Sequence, residues 1–427
     1  MRLGQMVIDV SPLRTSRDFR FVFAARVVSL LGIGFTTVAL PVQVYDLTGS
    51  SLQVALVNLV LGAAMLVGTL VGGVLSDRFD RRSLILLGRG VAAVGFAALT
   101  ANALLPSPQL WFVAVCAVVN GLANGVSGTA LMAATPALVG RDQLAASAAL
   151  VAATTQLGAV VGPAVGGLVI AGPGVAANYG VTAVGTLLTT VLILFLRPLP
   201  PTSSSGRRGS GSVAEGWRFV RRNPVIGGLL LVDVCAVVFA MPYALFPALA
   251  TEHFHAGPAA VGLLYAAPAV GAVLGAVTSG WTGRIAGSGR ALVVAVLGWG
   301  LAITGFGLSP TLPVALALLA VAGFANIVSE ILRRALLQHH TPGRLQGRVS
   351  SVWLAQTTVG PSLGNVEAGL LARFVAPPTA VVLGGLVCVA GVVLVSALFP
   401  GLRRASLRGP SADEAEHDAQ PSAAAAA

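Results

Sequence analysis

Three carboxyl groups stand inside long apolar stretches of this 427-residue chain: Asp233 in LLLVDVCAVV, Glu330 in NIVSEILRR and Glu367 in LGNVEAGLL. An ionisable group among apolar neighbours is costly, so it marks a place where charge or protons are handled. Each of the three is a candidate proton carrier. Glu330 has a second use, because Arg333 and Arg334 lie one helical turn away for pairing. Arg26, in FVFAARVVSLL, is the cationic counterpart. It can bind an anion, or it can lay its stem among apolar groups and extend its head to the surface.

Polar and aromatic groups recur in the same stretches: Gln43, Asn58, Asn120, Asn124, Gln156, Tyr243, Tyr265, Trp353 and Gln356. Amides bond hydroxyls and aromatic faces stack on flat rings, so with Arg26 these are candidates to line a path for a small molecule. The same groups also serve as glue between helices. No catalytic set accompanies them, and the chain reads as a non-enzyme. His253, His255, His339 and His340 have no acid or Cys partner at ligand spacing, so they read as surface histidines and no metal is expected. Cys116, Cys235 and Cys388 stand singly in apolar runs and read as small core groups. A phosphate-binding G-x-x-x-x-G-K-[ST] loop is absent, so neither ATP nor a bound cofactor is expected.

The elements that hold these groups must be membrane helices. The chain is 56% hydrophobic and only 10% charged, with a mean hydropathy of +0.87, which excludes a soluble fold. Apolar stretches near twenty residues recur, each able to cross roughly 30 Å of hydrocarbon. They do not alternate as the strands of a β-barrel would. A net charge of +11 suggests nucleic acid in a soluble protein. Here every cation is Arg, and the arginines collect in alternate connecting segments, so the expected partner is the lipid bilayer and not nucleic acid. The expected fold is all-α, with twelve transmembrane helices at 22–45, 52–76, 83–105, 111–135, 147–171, 175–196, 225–249, 259–281, 291–309, 312–334, 351–373 and 379–399. The Arg-rich segments place both termini in the cytoplasm. No cleavable signal peptide is evident.

Residues 1–196 then form an N-terminal six-helix bundle and 225–400 a C-terminal one. Between them, 197–224 is a Pro/Ser/Gly/Arg-rich cytoplasmic linker whose second half, VAEGWRFVRR, has the makings of a surface helix. Residues 401–427 read as a disordered tail. The halves repeat: Pro41 matches Pro247 at 206 residues, Gly68 and Gly73 match Gly275 and Gly280 at 207, and Thr135-Pro136 matches Thr341-Pro342 at 206. Gly162-Pro163-x-x-Gly166 recurs as Gly360-Pro361-x-x-Gly364. Two parallel six-helix repeats are the layout of a substrate path between pseudo-symmetric halves.

Two motifs stand out. After span 2 comes Gly73-x-x-x-Asp77-Arg78-x-Asp80-Arg81-Arg82. Arginines alone suffice to hold this loop inside, so Asp77 needs another role, such as pairing with a neighbouring Arg or accepting N–H bonds at a helix start. Span 5 carries Gly158-x-x-x-Gly162-Pro163-x-x-Gly166-Gly167. Its glycines allow close helix packing, and Pro163 removes one backbone donor.

Through these motifs the chain resembles the major facilitator superfamily, whose pattern in the first loop is G-x-x-x-D-R-x-G-R-R/K. The resemblance implies a conformational latch in which Asp77 docks at the start of span 11, near Ser350 and Ser351. Asp80 stands where the pattern has Gly, and Arg284 replaces the acid in the second half. The span 5 motif resembles the antiporter motif of that superfamily's exporters. Stretches such as GGVLSDRFDRR (72–82), ILLGRG (85–90), AATPALVGR (133–141), GLLYAA (262–267) and QGRVSSVWLAQ (346–356) are similar to the bacterial enterobactin exporters, a siderophore-efflux branch. What the resemblance implies is an inner-membrane, proton-antiport exporter of a catecholate siderophore such as enterobactin, working as a monomer with protons and a small-molecule substrate as partners. A macrolide-type multidrug antiporter is the alternative, and a non-transporting membrane sensor a third.

Overall fold

The computed structural model describes residues 9–134, 138–199, 213–285 and 287–407. Arg2, Thr135-Pro136, Arg207, Arg208 and the tail from Arg408 onward lie outside the described residues. Every regular element among the described residues is helical. Twelve long helices occur: α1 (Arg17–Thr48), α2 (Ser51–Ser76), α3 (Arg81–Ala103), α4 (Leu110–Ala134), α5 (Leu144–Ala171), α6 (Val175–Leu194), α7 (Pro224–Phe239), α8 (Pro258–Thr278), α9 (Ser288–Leu308), α10 (Leu312–His339), α11 (Gly343–Leu371) and α12 (Pro377–Leu398). Among the described residues, eleven segments are long and apolar enough to cross a membrane. The twelfth long helix, α11, opens with the polar turns GRLQGRVSS and starts eight residues before its expected span. Pro342 stands just before its first turn, where a missing N–H removes nothing from the helix.

Local chemistry sets the helix starts. The Ser16 hydroxyl accepts from Phe19 N at 3.1 Å and opens α1 a turn earlier than apolarity alone suggests. Asn223 Oδ1 accepts from Val225 N and Ile226 N at 3.1 and 3.2 Å, and Pro224 follows it as the first residue of α7. Span 7 is not one regular helix, as 225–249 implied. Pro242 lacks a donor and disfavours helix at Met241, so α7 ends at Phe239. A 3₁₀ turn at Tyr243–Leu245 and a π-helical turn at Leu249–His253 follow. VAEGWRFVRR forms the helix Val213–Arg222, with Trp217 exposed. The segment read as a disordered tail begins with a helix, Pro400–Arg404, whose Leu402 is buried.

The chain divides into two units, Met1–Ser205 with Ala244–Ala266, and Gly206–Tyr243 with Ala267–Ala427. The end of the seventh span and the start of α8 thus belong with the first unit, where the Tyr45 hydroxyl of α1 donates to Glu252.

Small residues bring the helix backbones together, since packing drives association in lipid. In the first unit α2 lies on α4: a Cβ added at Gly72 would stand 2.7 Å from Val126 Cα, and one at Gly121 2.8 Å from Ala64 Cβ. In the second unit α8 lies on α10 in the same way, with Gly323 against Pro268 and Gly271 against Phe324. The sequence repeat is therefore a repeat of helix pairs. Gly73 and Gly280 face open space, and the packed glycine of the VGG stretch is Gly72.

Candidate functional site

The second unit gathers one buried polar cluster from three helices. Asp233 of α7 and Arg333 of α10 form an ion pair at 2.5 Å with side chains 1% and 3% exposed. Gln356 of α11 donates from Nε2 to Asp233 Oδ2 at 2.6 Å and to Leu230 O at 3.1 Å. Arg333 also donates to Ser329 Oγ at 3.1 Å. A turn away, Glu330 pairs with Arg334 at 2.5 Å, and the Arg334 guanidinium stands 4.7 Å over the Trp353 ring. Asp233, Arg333, Glu330, Arg334 and Trp353 line a cavity of about 230 Å³, together with Asn326, Thr357 and Pro361. Trp353 Nε1 is buried and has no hydrogen-bond partner. The site thus offers a proton-accepting carboxylate, two guanidinium groups, an aromatic face and a spare N–H donor.

The sequence pointed separately to Asp233, Glu330, Trp353 and Gln356, and the structure brings the four together. It missed Asp233's partner, because Arg333 sits beside Arg334 near a span end and read as a partner for Glu330. Glu367, half-buried on α11, is not among the groups lining this cavity. Beyond the end of α10, burial holds the His340 imidazole below its usual range.

In the first unit the path candidates are spread out. Gln43 is buried and accepts from the Tyr179 hydroxyl at 2.9 Å, which joins α1 to α6. Asn120 donates to Cys116 O at 3.0 Å within its own helix. Asn58 and Gln156 are half-buried. Tyr265 meets Phe246 edge-on, with ring centroids 4.9 Å apart. Tyr243, in the second unit, is half-buried. Arg26 donates to Thr155 Oγ1 at 3.3 Å. Arg89, which the sequence reading did not single out, is 9% exposed and donates to Asn124 Oδ1 at 3.5 Å.

The charged loop after α2 is largely a device for finishing helices. Helix starts leave N–H groups and helix ends leave carbonyls without partners. Asp80 caps α3 by accepting from Ser83 N at 3.0 Å, and its other oxygen accepts from Leu199 N at 2.7 Å. Arg81 donates to Ala133 O near the end of α4, at 3.1 Å. Arg82 donates to Leu194 O at 2.7 Å and Ile193 O at 3.4 Å, at the end of α6. Beneath them lies an apolar cluster that includes Val22, Ile85, Leu131, Ile193 and Leu199. Asp77 and Arg78 are exposed, as are Ser350 and Ser351. In the span 5 motif, Gly162 meets Gly34 of α1 so closely that a Cβ on either would lie 2.8 Å or less from the other's Cα. Gly158 lies against Leu30, Gly166 against Phe35, and Gly167 against Gly262. The helix runs through Pro163 to Ala171.

Twelve long helices, repeated pairings of small residues and a buried ionic cluster define a membrane transporter of the major facilitator type. A family model described as transmembrane secretion effector (MFS_3) matches residues 8–417, and the chain belongs to that family. It is 38% identical to the enterobactin exporter EntS of Citrobacter koseri over 404 residues, covering 95% of this chain and 97% of the relative. It is also 38% identical to the enterobactin exporter EntS of Shigella boydii, with the same coverage. Among solved structures it is similar to a POT family transporter in complex with 5-aminolevulinic acid, with a TM-score of 0.70, 14% identity, and 91% of this chain and 97% of that one covered. A bacterial homologue of the human lysosomal transporter Spinster, in an inward-facing and unoccupied conformation, gives a TM-score of 0.67 at 15% identity, covering 92% and 97%. These two likenesses concern the fold.

Proposed function

We propose that the chain is a bacterial inner-membrane exporter that moves a catecholate siderophore, such as enterobactin, out of the cytoplasm in exchange for protons. Similarity to enterobactin exporters over nearly the whole of both chains supports the substrate class. The observation that carries the coupling is the Asp233–Arg333–Gln356 cluster, which ties three helices at the wall of a cavity. Ionised, Asp233 neutralises Arg333 and holds Gln356. A proton on Asp233 removes that charge and weakens the tie between α7, α10 and α11. A phenolic hydroxyl that donates to ionised Asp233 loses its acceptor when the carboxyl is protonated, so proton and substrate compete for one carboxylate, which is the requirement for exchange. The Trp353 face beside Arg334 suits a flat phenolic ring. The Arg-rich loops and both termini face the cytoplasm, 1–196 and 225–400 act as two bundles, and the exporter works as a monomer without nucleic acid.

The test is transport of enterobactin by purified protein in liposomes under an imposed pH gradient. The parent chain accumulates the ligand and collapses part of the gradient, while Asp233→Asn binds but does not couple. Gradient-driven transport at the parent rate by Asp233→Asn removes this cluster as the coupling site. Movement of macrolides but not enterobactin replaces the substrate class.

A further inference from the structure

The first unit holds two arginines deep in its helices with no acid to balance them. Arg26 of α1 and Arg89 of α3 lie roughly 14 and 12 Å along their helices from the Arg-rich end. Arg89 is 9% exposed, and its described contact is the long one to Asn124 Oδ1. Arg26 Nε is shut off from solvent without a hydrogen-bond partner. All acids of this unit are engaged elsewhere or exposed. Asp9 bonds Ser11, Asp18 pairs with Arg197, Asp80 caps α3, and Glu252 meets Tyr45. Asp46, Asp77 and Asp142 are exposed. Two like charges in low dielectric repel each other and lose hydration, so an arrangement of this kind stands ready for an anion.

The repeat sharpens this. Arg26 lies 207 residues before Asp233, the offset that relates Gly68 to Gly275. Asn120 and Asn124 lie 206 residues before Asn326 and Glu330. Thr155 lies 198 before Trp353, the offset that relates Gly162 to Gly360. The position that holds Asp233, Glu330 and Trp353 beside one cavity in the second unit therefore holds Arg26, Asn124 and Thr155 in the first, and Asn124 joins Arg89 to them. Asn124 and Thr155 each take one N–H and leave most of both guanidinium forks unfilled.

We propose that Arg26 and Arg89, oriented by Thr155 and Asn124, form an anion site in the first unit that receives a paired-oxygen group, catecholate or carboxylate, of the transported molecule. This rests on the export reading. Two planar forks match a ligand with two adjacent oxygens, a geometry that lysine does not reproduce.

Binding is measured by calorimetry on the full chain in lipid nanodiscs, with iron-free enterobactin, catechol and benzoate as probes. The expected result is that Arg89→Gln and Arg26→Gln each weaken enterobactin binding about tenfold or more, and that Arg89→Lys recovers only part. Competition by catechol assigns the catecholate, and competition by benzoate the carboxylate. Asn124→Ala, which removes the group orienting Arg89 together with a hydrogen bond to Asn120 O within α4, gives a smaller loss in the same direction and serves if a Gln variant fails to fold. Unchanged affinity in both Gln variants, with elution profile and melting temperature like the parent, overturns the site. If the parent transports enterobactin while the variants bind it equally well, the site fails and the export reading stands. If the parent binds benzoate through these arginines yet transports no enterobactin, the export reading fails and the site stands.

Discussion

Asp233 and Arg333 neutralise each other with side chains almost wholly buried, and that makes each dependent on the other. Removing one partner of such a pair costs about 3–5 kcal/mol, because the survivor stays buried and uncompensated, whereas replacing both by apolar groups of similar size is often neutral. Arg333→Met is therefore expected to lower the melting temperature of the detergent-solubilised protein well below the parent. Asp233→Leu combined with Arg333→Met is expected to restore much of the loss while remaining inactive. Thermal unfolding followed by tryptophan fluorescence checks this, and a single variant as stable as the parent contradicts a dry pair. Asp233 was legible because an acid in LLLVDVCAVV has no bland explanation. Arg333 was not, because beside Arg334 it reads as a partner for Glu330 one turn away, and Arg89 was not, because no acid lies near it in the sequence. The repeat offset was the overlooked signal, since it superposes Arg26 on Asp233 and Asn124 on Glu330.

Among the elements, the loop between α2 and α3 separates helix finishing from whatever Asp77 does. Asp80 holds both the start of α3 and the chain after α6, and loss of an N-cap alone costs about 1 kcal/mol. Asp80→Ala is expected to destabilise the protein by about 1–2 kcal/mol, with Asp80→Asn milder. Asp77→Ala, at an exposed position, is expected to leave the melting temperature unchanged while slowing transport if Asp77 works as a latch. Paired unfolding and transport measurements on the two variants separate the roles. A pattern with Gly at position 80 concealed this, because the departure is visible in sequence while its partner, Leu199, lies 119 residues away. The break after Phe239 was legible in kind, since Met241-Pro242 interrupts any helix. What hid it was the unbroken apolarity of the stretch, which reports burial and not backbone geometry.

For the whole molecule, apolar length fixes ten of the twelve long helices within five residues, because each must hide its backbone from hydrocarbon over the same thickness. Sequence order does not fix which segments group together, and Ala244–Ala266 goes with the first unit although it lies beyond the linker. Orientation in the bilayer follows from the arginines alone, and it decides the direction of transport. The loop at Phe79 is expected on the cytoplasmic side and the loop at Ser107 on the opposite one. Both residues are exposed, whereas Cys116 and Cys388 are buried and Cys235 is half-buried within a helix. A membrane-impermeant maleimide is expected to label Ser107→Cys in intact cells and Phe79→Cys only in inside-out vesicles. The opposite pattern places the Arg-rich ends outside. Asp233, less than half-way along the seventh span (Pro224–His253) from its Arg-rich end, would then lie nearer the outer face, and the exchange of an outgoing anion for an incoming proton would have to run in reverse.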